Sequence, residues 1–213
     1  MPLKIINAEF VKGAVKAEQF PKLGVPEFAF FGRSNAGKSS LINMLVNRKN
    51  LVKTGARPGM TREVNFFLIN RPASAAAEKT AQKKTAGVFA FTDLPGYGYA
   101  KVSGASAQQI DKMLYEYCAN RSELKTLFFL MDMRRLPGEM EKNSLAFFQQ
   151  LNIETVIVGT KADKLGKNDQ IKTKKEGSAF FNIAEDLIAV TSSSKKIGKE
   201  LILSVVDGRC KEK

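Results

Sequence analysis

Six short runs dominated by Val, Ile, Leu and Phe punctuate the chain: residues 27–31 (EFAFF), 64–69 (VNFFLI), 87–93 (GVFAFTD), 126–132 (TLFFLMD), 153–160 (IETVIVGT) and 187–192 (LIAVTS). Between most of them apolar residues recur every three to four positions, the period of an amphipathic helix. The runs are continuous rather than alternating, so the strands they predict are covered on both faces, as in a mostly parallel sheet inside an α/β sandwich. The pattern therefore predicts a six-stranded sheet with helices on both faces. The runs at 64–69 and 87–93 are the exception, because no helix-length pattern separates them. They read as an antiparallel hairpin, which makes one strand of the sheet an antiparallel edge strand. Their connection, the Ala/Lys-rich stretch 70–86, has no apolar face and is expected to be a mobile basic loop. A second basic stretch, KNDQIKTKK at 167–175, reads as the start of an exposed helix. Residues 1–25 are expected to form a short extension. At 213 residues the chain fits one domain around a substantial core.

Charge narrows the class of partner. The 34 Lys and Arg residues exceed the 21 Asp and Glu, giving a net charge of +13 and an isoelectric point near 9.7. Such an excess favours a polyanionic partner, with nucleic acid the first choice. An anionic membrane surface is also basic-compatible, but no apolar run approaches the roughly 20 residues that span a bilayer. The opening MPLKIINAEF has too short an apolar stretch for a signal peptide, so a cytoplasmic location is expected. Two cysteines, Cys118 and Cys210, make no disulfide framework. Histidine is absent, which removes the commonest general base and metal ligand. Catalysis must then rest on positioning and charge.

The chemistry concentrates at the ends of the predicted strands. Gly32-Arg33-Ser34-Asn35-Ala36-Gly37-Lys38-Ser39 fits G-x-x-x-x-G-K-[ST] between a strand and a helix that starts near Lys38. Such a loop curls so that backbone N–H groups and the helix N-terminus cradle phosphates, with the lysine on the β and γ phosphates and the serine hydroxyl on Mg²⁺. Asp93 and Gly96 form D-x-x-G at another strand end, placing a carboxylate for Mg²⁺ and an N–H for a γ-phosphate. Thr160-Lys161-Ala162-Asp163 ends a third. There Asp163 can accept two hydrogen bonds from the N1–H and exocyclic amine of guanine, which adenine cannot supply, and the methylene stem of Lys161 can lie on the purine face. After the last strand, the backbone around Thr191, Ser192 and Ser193 is placed to meet guanine O6. In open α/β sheets ligands bind at these carboxyl ends.

Taken together, GRSNAGKSSLIN, PGMTREVNFF, DLPGYGYA, MDMRR and TKADKL resemble the motifs of the EngB family of bacterial ribosome-assembly GTPases, within the translation-factor-related class, from about residue 8 to residue 205. The resemblance implies a Ras-like P-loop GTPase fold, GTP and GDP binding with slow hydrolysis, Mg²⁺ dependence, and a role in late assembly of the large ribosomal subunit, through it supporting septation and cell division. Position by position it implies phosphate and metal contacts at Lys38, Ser39 and Ser40, a switch threonine at Thr61 following Gly59, and catalysis resting on Lys38, Thr61 and Gly96. Ser39, Thr61 and Asp93 are its implied metal group. It depicts a monomer whose partner is the large subunit or its precursor, rRNA and ribosomal proteins, away from membranes. The insertion at 70–84 is longer than the family leads one to expect, and GEMEKNSLAFF after MDMRRLP matches loosely.

Ras-type sites place a glutamine after D-x-x-G to orient water; here Tyr97 follows Gly96, so hydrolysis is expected to be slow and Tyr97 to pack or stack. Asn35 resembles the potassium-coordinating asparagine of related GTPases, which adds K⁺ as a cofactor. Residues 50–62 and 94–105, rich in glycine, suit segments ordered by GTP and Mg²⁺. Arg57, Arg62 and Lys101, with the run Lys167, Lys172, Lys174 and Lys175, are the candidate RNA contacts. Two alternatives stay open on the residues alone. One is a signalling or trafficking GTPase that recruits proteins. The other is a metabolic ATPase or kinase, which Asp163 disfavours.

Overall fold

The computed structural model describes residues 3–52, 63–71, 87–97 and 104–212. Strand parity explains its layers. In β2 (Glu27–Gly32) every residue is buried, and alternate side chains enter opposite cores: Phe28 and Phe30 one, Ala29 and Phe31 the other. The same split runs through β5 (Leu124–Asp132) and β6 (Thr155–Thr160), while β4 (Phe89–Asp93), also buried throughout, sends Phe89 and Phe91 into the first core. On the first face α1 (Lys38–Leu45) and α5 (Lys199–Lys211) close the core with Leu41, Ile42, Leu45, Ile202 and Val206. On the second, α2 (Gly104–Ala119), α3 (Glu139–Gln150) and α4 (Lys167–Phe181) do so with Met113, Tyr117, Phe148 and Phe181. Helices on both faces and a mostly parallel sheet are as the sequence predicts.

The strand count and the edge are not. The sheet has seven strands among the described residues, in the order β1-β3-β4-β2-β5-β6-β7, ending with the short β7 (Ala189–Val190). The extra strand, β1 (Ala8–Ala14), lies in the expected N-terminal extension and pairs antiparallel with β3 (Val64–Ile69). β3 is antiparallel to β4 as expected, yet β1 covers it, so the antiparallel strand is not the edge. Asn70 fixes this pairing: its buried side chain accepts from the Ile6 N–H at 2.7 Å and donates to the Lys4 carbonyl at 3.1 Å. The loop expected at 70–86 lies mostly outside the described residues.

Strands β4, β2, β5, β6 and β7 are mutually parallel, so Gly32, Asp93, Asp132, Thr160 and Val190 all reach one edge of the sheet. At the opposite end, Arg121 grips the fully buried Glu27 through Nε and Nη2, both at 2.6 Å, while its guanidinium lies over Phe66, 4.9 Å from the ring centre.

Candidate functional site

The loop after β2 turns because two residues adopt the left-handed conformation, Asn35 with φ 64° and Gly37 with φ 100°. At Gly37 this conformation, not crowding, requires glycine, since an added Cβ would meet nothing closer than 3.8 Å. The turn divides the candidate phosphate contacts into two sets. The Ser34 N–H donates to the Tyr97 carbonyl at 2.9 Å and the Ala36 N–H to the Arg33 carbonyl at 2.9 Å. These two amides are spent inside the protein. Those of Asn35, Gly37, Lys38, Ser39 and Ser40 have no acceptor among the described residues, and the last three belong to the first turn of α1, where a helix leaves its N–H groups unpaired. Together they form an anion cradle.

Gly96 lies against this loop. A Cβ there would come within 2.6 Å of the Gly32 carbonyl and 3.3 Å of the Ser34 nitrogen, so only glycine permits the approach. Leu94 N–H to Phe30 carbonyl, 3.0 Å, extends the pairing of β4 with β2 beyond the strand. Tyr97 continues the segment with its ring packed against both Phe31 and Phe129, centroids 5.4 and 6.3 Å away. Its hydroxyl donates to Glu141 at 2.8 Å, and burial, reinforced by that carboxylate, pushes its pKa well above the usual range. Tyr97 packs, as expected of it, and has no means of acting as a base at neutral pH.

Asp93 and Lys38 face each other in the interior, 1% and 9% exposed, with Nζ 3.5 Å from Oδ1. Oδ1 has no hydrogen-bond partner. Burial raises the Asp93 pKa and Lys38 draws it back only in part. A buried carboxylate with an oxygen that makes no hydrogen bond, facing the lysine that precedes the half-buried Ser39, fits a divalent cation held through few protein groups, water and phosphate oxygens, the usual arrangement for Mg²⁺. Among the described residues no group of three or more His, Cys, Asp or Glu could hold a metal alone. Gly59 and Thr61, with Arg57, Arg62 and Lys101, lie outside the described residues.

At the other end of the cradle the loop after β6 is bound to it. The Thr160 hydroxyl donates to the Ala36 carbonyl at 2.6 Å. Lys161, with φ 59°, donates through Nζ to the Asn35 carbonyl at 2.5 Å and to Asp132 Oδ2 at 2.9 Å. Asp163 accepts from the Ser192 hydroxyl at 2.6 Å, a bond that lowers its pKa and keeps it an acceptor. Ser192 is fully buried, and its N–H is bonded to the Ile197 carbonyl at 3.1 Å. Thr191 is likewise committed, donating to the Gly159 carbonyl from both N and Oγ1. Thus Thr191 and Ser192 build the loop and orient Asp163, which leaves the half-buried Ser193 as the residue of that trio open to a ligand. The sequence reading passed over Asp132, although a carboxylate at a strand's carboxyl end was the signal used for Asp93.

A family profile described as 50S ribosome-binding GTPase matches residues 27–161. The chain is 68% identical over 211 residues to a probable GTP-binding protein EngB of Treponema denticola, covering 97% of this chain and 100% of that one. The chain belongs to the EngB family of GTPases. As a member it binds guanine nucleotide and hydrolyses GTP. Among solved structures, a probable GTP-binding protein engB superimposes with a TM-score of 0.63 at 20% identity, over 88% of this chain and all of the other. Era in complex with MgGDPNP and a segment of 16S ribosomal RNA superimposes with a TM-score of 0.67 at 21% identity, over 89% of this chain and 58% of that one. These two likenesses concern the fold.

Proposed function

We propose that this EngB-family GTPase is a slow switch in assembly of the large ribosomal subunit, with the cradle between β2 and α1 as its nucleotide site. The observation that carries the site is the cradle of unpaired amides closed by Lys38 at one end and by the Ser192-oriented Asp163 at the other. In this reading Lys38 neutralises the β and γ phosphates and the Gly96 N–H meets the γ-phosphate. Asp163 reads the guanine edge, while the stem of Lys161 covers its face. Thr160 locks that loop to the cradle. Gly32 and Arg33 lead into it, and Thr61, after Gly59, is the switch threonine. Ser39, Thr61 and Asp93 hold Mg²⁺, which when bound lowers the charge barrier to attack on phosphorus.

No glutamine follows Gly96 and no histidine exists in the chain, so these residues position rather than abstract, and hydrolysis is slow. Asn35 is the proposed K⁺ ligand; equal single-turnover rates in KCl and NaCl would remove that assignment. The +13 charge and the matched family's description support a ribosomal partner; in this reading the protein is a single-domain monomer that meets it in the cytoplasm. A supporting role in septation follows from that assembly function. Among the described residues no helix is long and apolar enough to cross a membrane.

The test is co-sedimentation of the purified protein with large and small subunits at physiological salt, with GDP or a non-hydrolysable GTP analogue. Association with the large subunit alone, dependent on the GTP analogue, is expected. Binding to neither subunit would return the protein to the class of GTPases that recruit other proteins.

A further inference from the structure

Asp132 is the last residue of β5 and lies in register beside Thr160 of β6, so its carboxylate emerges next to the loop that carries Lys161. Four donors converge on it: the Arg134 N–H at 3.1 Å, Arg134 Nε at 3.0 Å, Arg134 Nη2 at 2.7 Å and Lys161 Nζ at 2.9 Å. Oδ2 is shared between Lys161 and the Arg134 fork. Burial acts to raise its pKa, but these hydrogen bonds outweigh burial and hold it at about 2. The carboxylate is therefore charged at any working pH.

We propose that Asp132 is a positioning residue for guanine binding, anchoring the Lys161 ammonium so that its methylene stem is held ready for the purine face. The inference rests on the reading of the strand ends as the nucleotide site. A free lysine samples many rotamers, and ordering it on binding costs affinity. Here that ordering is built in. Lys161 is already turned inward by its left-handed backbone, and its ammonium has two fixed acceptors, the Asn35 carbonyl on the cradle and the Asp132 carboxylate on the sheet. Of the two, only Asp132 supplies charge. Arg134, 44% exposed, contributes one step further out by fixing the Asp132 rotamer through its planar fork. The order of importance is then Lys161, Asp132, Arg134.

The experiment measures affinity for a fluorescent GDP analogue in the full chain, comparing wild type with Asp132→Asn, Asp132→Ala, Arg134→Ala, Lys161→Met and the double variant Asp132→Asn/Lys161→Met. Each Asp132 variant is expected to weaken binding about tenfold, the size of a lost charge-assisted hydrogen bond at a partly exposed site. Arg134→Ala should weaken it by about threefold, since the carboxylate remains and only its orientation loosens. The double variant should bind no more weakly than Lys161→Met alone, because Asp132 acts through Lys161; a structural role elsewhere gives additive losses. Thermal melts of the nucleotide-free proteins separate misfolding from lost affinity, and the isosteric Asp132→Asn carries the test if Asp132→Ala does not fold. Wild-type affinity in Asp132→Asn, or additivity in the double variant, overturns the positioning role while leaving the nucleotide site intact. Failure of the wild type itself to bind GDP overturns both.

Discussion

Asp163 accepts the Ser192 hydroxyl on one oxygen and is held ionised by that bond. Its value for specificity lies in being an acceptor only. Asp163→Asn puts an amide donor among the groups that face the base, so GDP affinity is expected to fall by about 100-fold or more, while xanthosine diphosphate, with a carbonyl in place of the guanine amine, should bind better than GDP. Competition binding with the two nucleotides checks this; equal losses for both would argue that Asp163 only shapes its loop. Asp132 gives a pH prediction of defined sign. Its folded pKa, about 2, lies below the ordinary 3.8, so its stabilisation is complete above pH 4 and is lost as pH falls toward 2. The full shift corresponds to about 2 kcal/mol, and solvent screening around Arg134 reduces this to about 1 kcal/mol. Denaturant titrations of wild type and Asp132→Asn should therefore differ by about 1 kcal/mol at pH 5 and converge near pH 2.

At the level of elements, continuous apolar runs exposed the parallel strands because a strand buried on both faces has no room for polar residues, as in β2, where all six positions are buried. β1 stayed hidden for the opposite reason. Its middle residues are exposed, Phe10 at 53% and Val11 at 38%, only the small end residues Ala8 and Ala14 enter the cores, and backbone pairing with β3 plus the Asn70 side chain, which also hold it, leave no hydrophobic pattern. The cradle, Asp93, Gly96 and Asp163 were legible because phosphate and guanine recognition fix residue types at fixed spacings. Asp132 and the inward commitments of Ser34, Thr191 and Ser192 were not, since they depend on which strands become neighbours. Two substitutions test these elements. Asn70→Ala leaves the Ile6 N–H and the Lys4 carbonyl without partners and is expected to cost about 1–3 kcal/mol in denaturant unfolding, with fast hydrogen exchange confined to β1. Gly96→Ala drives a Cβ into the Gly32 carbonyl at 2.6 Å; the segment must retreat from the cradle, and single-turnover GTP hydrolysis should drop about 100-fold with GDP affinity nearly unchanged.

Over the whole molecule the +13 charge has to be distributed, and one place is α4. Lys167, Lys172, Lys174 and Lys175 project over roughly 160° of that helix at 100° per residue, and three of the four are exposed, Lys174 being half-buried. Among the described residues the only ion pair they make is Lys172 with Glu176, at 4.0 Å and solvent-exposed, where such a pair offsets little charge. The helix starts two residues after Leu165, so this face begins at the guanine end of the proposed site, close to the loop that Asp163 occupies. If the face contacts phosphates of ribosomal RNA, each contact releases counterions, and log K falls with log salt in proportion to the number of contacts. Replacing all four lysines by glutamine should weaken subunit association at physiological salt and reduce the slope magnitude by up to about 3, while GDP affinity stays as in the wild type. Sedimentation at four or five KCl concentrations measures that slope. A lower affinity with an unchanged slope would mean that α4 contributes shape but no phosphate contacts, and the charge excess would then have to act through a different face.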